Sequence, residues 1–238
     1  MRKTGWYLLA GMASAAVYIT PFMIFPVSAQ MSGNYLRAAF SGVEEYPTIF
    51  FFLREFLLYV TIGGVFFNFY MRDIETAKIL IFPREKVRYK WFFRKTRRLI
   101  AVYASFWCSF VLLSALTFCL TDRAAFDISL LLNLIFLFTT SFLCYFLFVL
   151  SVNILTLFFS EYLALLLTVG LYFVQYFSAF IGTKTKNIFL PIMYSKYSLF
   201  GDRISYLYVL FSEAALISGL LLVGFIIVKG KKFRMGEV

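Results

Sequence analysis

The 238-residue sequence contains no histidine. That removes most zinc sites, Ser-His hydrolysis and the HExxH pattern of metalloproteases. Cysteine is scarce: Cys108, Cys119 and Cys144 are the only three, all inside apolar runs and with no CxxC. They read as small buried hydrophobes, not as disulfides or metal ligands. No GxxxxGK[ST] occurs, so the chain has no phosphate cradle of its own. Carboxylates do not cluster either, which leaves an intramembrane enzyme without its usual chemistry. The largest shortage is charge. Asp, Glu, Lys and Arg make up 15% of the chain, against roughly a quarter in a soluble domain.

What the sequence does have is apolar bulk: 62% hydrophobic residues, with 32 Phe. A water-soluble core of this size could not hide that much apolar surface, so the expected class is an all-α membrane protein. A helix needs about 20 apolar residues to cross the hydrocarbon layer. Six such stretches occur, at about residues 5–27, 48–71, 99–121, 128–152, 162–181 and 204–228. The fourth and fifth come from one uncharged run that starts at Ile128 and lasts 33 residues, to Ser160. It is too long for one span, and a short turn is expected near "SVNILTLFFSE". The first stretch has the basic start of a signal peptide at Arg2 and Lys3, and "VSA" before Gln30. Its apolar run exceeds the 7–15 residues typical of such a signal, so it reads as a span.

The formal net charge is +11. In a soluble protein this could point to nucleic acid; here it maps onto topology. Even-numbered crossing with the N-terminus inside puts Arg2, Lys3, the ten Lys/Arg of residues 72–98, and Lys229, Lys231, Lys232 and Arg234 on the cytoplasmic face. The rest of the chain is then neutral. This is the positive-inside pattern, with both termini cytoplasmic and no nucleic-acid partner implied.

The basic segment, "RDIETAKILIFPREKVRYKWFFRKTRR", divides at Pro83. Asp73 to Phe82 suits a short helix, with Asp73 and Glu75 in the first turn, where the helix dipole favours acids. Ile74, Ala77 and Ile81 share one face. Pro83 ends it, because the residue before a proline is pushed out of helical geometry. Beyond it, Arg84, Lys86, Arg88, Lys90, Trp91, Arg94 and Arg97 read as a membrane-surface anchor, with aromatics in the headgroup layer and cations on anionic lipid. The "ILIF" of the first part needs something to bury it, either the bilayer or a soluble partner.

The chain resembles the type-2 ABC exporter permeases. That family has six spans, both ends inside, and a loop between spans two and three. The loop carries an acid, a small residue, an apolar pair, Pro and a nearby cation. "RDIETAKILIFPREK" follows that order with Glu75, Ala77, Leu80, Pro83 and Lys86. It departs from it in having Ala77 where Gly is common and Glu85 where Ser or Thr is. The resemblance implies that Asp73, Ile74, Glu75, Ala77, Lys78, Leu80, Ile81 and Pro83 form a cytoplasmic coupling helix that docks on a separate ABC ATPase. ATP and Mg would be held by two copies of that partner, and this chain would bind no cofactor. A second permease copy, as a homodimer, would complete the translocation path.

Within the spans, Glu213 stands about 14 Å into the sixth at ~1.5 Å per residue. A carboxylate there is costly and faces protein or water. It is a candidate lumen or gating residue, or a structural partner of Arg54 or Arg203. Arg54 and Glu55, in the outer part of the second span, are read as interfacial charges, with a lumen or gating role as the alternative. Asn133, Asn153 and Gln175 suit hydrogen bonds between helices. Gly11 and Ala15, with Ser14 beside them, have the small-residue spacing of a close helix seam and are candidates for a dimer interface. The expected cargo is an amphipathic or antimicrobial peptide, exported for secretion or self-protection, with lipid, drug or polysaccharide-lipid as alternatives. A non-transporting receptor or assembly protein with a lipid-binding basic loop is the competing class.

Overall fold

The computed structural model describes residues 2–24, 49–73, 85–121, 128–181 and 206–229. Among them the chain is all-helical, with no strand. In order it forms α1 (Arg2–Ile24), α2 (Ile49–Phe66), a short 3-10 turn at Met71–Asp73, α3 (Glu85–Thr121), α4 (Ile128–Leu155), α5 (Glu161–Ile181) and α6 (Tyr206–Lys229). Three of these are long and apolar enough to cross a membrane, over Arg88–Thr117, Phe138–Leu155 and Leu207–Lys229. That is the character of a membrane protein.

The middle of the bundle is α4. Its residues from Cys144 to Leu150 are all buried, whichever way they point. A helix covered on every side is a central one, and α2, α3, α5 and α6 all pack on it. The uncharged run divides just after α4, at Thr156–Ser160. There the helical bonds tighten to i→i+3, with Leu157 N donating to Ile154 O at 3.1 Å and Phe158 N to Leu155 O at 3.0 Å. The Thr156 hydroxyl also donates to Asn153 O at 2.7 Å. These bonds satisfy carbonyls that a helix end leaves open.

The basic segment differs from its expected form. Residues 85–98 do not lie apart from the third span; they are its first turns, in one helix of 37 residues. The buried face explains the continuity. Trp91, Phe92, Lys95, Thr96, Leu99, Tyr103, Phe106, Trp107, Phe110 and Ser114 are all buried, at the three-to-four-residue spacing of one helix face. The same stripe therefore runs from the charged part into the apolar part. At ~1.5 Å per residue the helix is ~55 Å long, nearly twice the ~30 Å hydrocarbon layer.

The small-residue stripe of α1 is also used differently. Gly11, Ser14 and Ala15 are buried, and α1 packs chiefly on α3 of the same chain. A Cβ on Gly11 would meet the Ser109 hydroxyl and the Phe106 carbonyl. Tyr18 and Phe110 meet edge to face on this seam, 5.6 Å between ring centres. Within the chain, then, the stripe expected at a dimer interface packs against α3. A second close approach is at Gly224 of α6, where a Cβ would come within 2.7 Å of the Phe92 ring. Of the cysteines, Cys144 is buried as expected, but Cys108 is exposed.

Candidate functional site

Two groups of polar side chains interrupt the apolar interior. The first lies where α2 ends. The expected second span runs to Met71, yet α2 stops at Phe66. Had it continued, Tyr70 N would have donated to Phe66 O. The fully buried Asn153 side chain of α4 takes the place of that bond. Its Nδ2 donates to Phe66 O at 2.8 Å, and its Oδ1 accepts from Tyr70 N at 3.2 Å. Nδ2 also donates to Val149 O at 2.9 Å. A side chain wedged into the helical ladder breaks it, while Phe66 O and Tyr70 N both stay paired, as burial requires.

Tyr70 is turned into the bundle by this break and is itself fully buried. Its hydroxyl shares a 2.7 Å hydrogen bond with the Thr96 hydroxyl on α3. Its ring meets Phe92 edge to face at 5.7 Å and Trp91 at 6.4 Å. Beside it, Lys95 Nζ lies 5.6 Å from the centre of the Phe69 ring, within cation–π range. One knot thus ties the chain at Tyr70, three residues before Asp73, to α3 at Trp91, Phe92 and Thr96 and to α4 at Asn153.

The coupling residues Ile74, Glu75, Ala77, Lys78, Leu80, Ile81 and Pro83, and Arg84 after them, lie outside the described residues; Asp73 ends the 3-10 turn. Lys90, Arg94 and Arg97 are exposed on α3 and Arg88 is half-buried. Trp91 departs from its expected headgroup position: it is 4% exposed and packs against protein. Lys86, Arg54 and Glu55 fall on helices, with side chains outside the described set, as is Gln175.

The second is a single residue, Glu213. The inward stripe of α6 is Val209, Glu213, Ile217, Gly224 and Val228, while Phe211, Ala214, Ala215 and Leu216 between them are exposed. Glu213 thus occupies a core position where the other members are apolar or Gly. It has no exposed surface, and neither carboxylate oxygen has a hydrogen-bond partner among the described residues. Elsewhere in the interior Tyr59 of α2 meets Cys144 of α4 and Tyr172 of α5, its hydroxyl 3.8 Å from Cys144 Sγ and its ring 5.2 Å from that of Tyr172. Tyr103 of α3 donates to Phe142 O at 3.1 Å.

Sequence reasoning singled out Glu213 but not the buried tyrosines Tyr59, Tyr103 and Tyr172. Aromatic residues are so frequent here that no signal separates these from lipid-facing ones. Tyr70 and Thr96 were missed for the same reason; Asn153 was recognisable as a polar residue in an apolar run. No group of three or more His, Cys, Asp or Glu suited to a metal exists among the described residues. Comparison with protein-family models, with curated proteins and with solved structures finds no match for this chain.

Proposed function

We propose that this chain is the transmembrane subunit of an ATP-driven exporter of the type-2 ABC kind. On this reading it crosses the cell membrane six times with both termini in the cytoplasm. It works as a homodimer, and two copies of a separate ATPase bind and hydrolyse ATP with Mg. The cargo is amphipathic, a peptide in the first instance.

One observation carries the reading beyond the motif. A coupling loop must deliver movement from a soluble partner to the membrane helices, so its ends cannot be loose. The residues on either side of the segment bearing Glu75, Ala77, Leu80 and Pro83 are buried and hydrogen-bonded: Tyr70 with Asn153 before it, and Thr96, about three turns into α3, after it. Displacing that segment would load α2, α3 and α4 together. A loop that only rested on lipid would not need such feet.

The test is co-purification of the chain expressed with its genomic neighbours. Recovery of a P-loop ATPase is expected, and Glu75→Arg or Leu80→Asp should abolish ATP-dependent transport while the protein still inserts. Recovery of no P-loop protein would instead favour a non-transporting membrane protein whose basic segment binds lipid.

A further inference from the structure

The start of α3 and the end of α6 lie side by side. Phe92 of α3 sits against Gly224, and the rings of Phe93 and Phe225 are 5.9 Å apart. The apolar stretch of α3 begins at Arg88 and that of α6 ends at Lys229, so this seam is at one surface of the hydrocarbon layer. Phe93 stays 55% exposed there, which leaves the ring pair on the outside of the bundle. Each ring has an exposed cation one turn further along its own helix, Arg97 after Phe93 and Lys229 after Phe225. Side chains of a helix lean toward its N-terminus. Arg97 therefore leans back toward Phe93, and Lys229 leans back toward Phe225, with its Nζ 5.9 Å from the ring centre. Two cations from two helices converge on one aromatic seam.

Nothing acidic answers them nearby. No Asp or Glu occurs in residues 86–121, 128–155 or 214–229, the lengths of α3, α4 and α6 concerned. The complementary charge must come from outside the chain. Its form follows from the surface next to the cations. Ile100, seven residues after Phe93, and Leu222, three before Phe225, are exposed and continue the same two faces away from the helix ends. A soluble polyanion or an acidic protein would leave those side chains uncovered. A phosphate carrying hydrocarbon chains fits both parts.

We propose that the α3–α6 seam at Phe93 and Phe225 is a site for one anionic phospholipid, its phosphate drawn to Arg97 and Lys229 and its chains lying along Ile100 and Leu222. Arg binds phosphate through paired, charge-assisted hydrogen bonds, and basic sites between membrane helices suit lipid headgroups. This goes beyond a general surface anchor, in which every cation of residues 84–98 would count alike. It rests on the membrane setting of α3 and α6 and not on the exporter reading.

The test is native mass spectrometry of the full chain, released from detergent micelles without any ATPase. The probes are phosphatidylglycerol and phosphatidylcholine with identical acyl chains. Retention of one phosphatidylglycerol per chain, under activation that strips phosphatidylcholine, is expected. Arg97→Gln with Lys229→Gln should weaken it about tenfold or more. Lys90→Gln with Arg98→Gln removes the same charge from exposed positions. Lys90 leans away from the ring pair, and Arg98 lies ~140° around α3 from Phe93, so this pair should change retention less than twofold. If the first double variant does not insert, Lys229→Gln alone should still lower retention. Equal retention of the two lipids, equal losses in the two double variants, or an unaffected Lys229→Gln variant would each overturn the proposal. So would displacement of the lipid by glycerophosphoglycerol, the same headgroup without chains.

Discussion

At the scale of single residues, Asn153 has the largest consequence for its size. Its amide substitutes for one helical hydrogen bond with two, and adds a third to its own helix. Removing it leaves Tyr70 N buried without that partner, while Phe66 O keeps its bond from Phe69 N at 3.2 Å. At about 1–3 kcal/mol for an orphaned group, Asn153→Ala should cost about 1–3 kcal/mol. Ser151→Ala, two residues away and bonded only to Leu147 O at 2.8 Å, should change stability by about 0.5 kcal/mol or less. Reversible unfolding in mixed micelles would compare the two; equal losses would contradict the wedge. Tyr70→Phe keeps the ring contacts and loses only the bond to Thr96, so about 1 kcal/mol is expected. Asn153 was visible in the sequence as a hydrogen-bonding residue. Its partners were not, because they lie more than eighty residues away and are backbone groups, which any residue type supplies.

Among the elements, α1, α3 and α6 show which parts of the fold were legible. Apolar runs of span length stand out in composition, and each became a helix. The helix spacing of α1's small residues signalled a close approach but not to what; within the chain the neighbour is α3. In α3 the buried period was hidden because Lys95 and Thr96 occupy interior positions. Their polar letters break an apolar stripe that burial shows to be continuous. The two glycine seams yield a paired prediction. Gly11→Ala meets the backbone of α3, which cannot turn aside, whereas Gly224→Ala meets the far edge of the Phe92 ring, which can. Overpacking costs about 1–3 kcal/mol. Gly11→Ala should fall at or above the top of that range and Gly224→Ala near the bottom, read as midpoint shifts in the same unfolding assay. The reverse order would mean that α1 is the looser of the two.

For the whole molecule, the proposed orientation rests on charge, and six crossings with both ends inside are the proposal to be tested. The exposed Cys108 must first be replaced. With all three cysteines changed to Ala, Arg97→Cys on the exposed side of α3 should react with a membrane-impermeant maleimide in inverted vesicles but not in intact cells. Labelling in intact cells would invert the topology. The length of α3 then acquires a mechanical meaning. One uninterrupted helix runs from Glu85, two residues after the proposed coupling segment, to Thr121. It is a lever arm ~55 Å long, held on its way by Thr96 and Tyr103. Over that length each degree of tilt carries one end about 1 Å relative to the other. A rotation of a few degrees at the Glu85 end would be enough to draw the far tip across the width of a side chain.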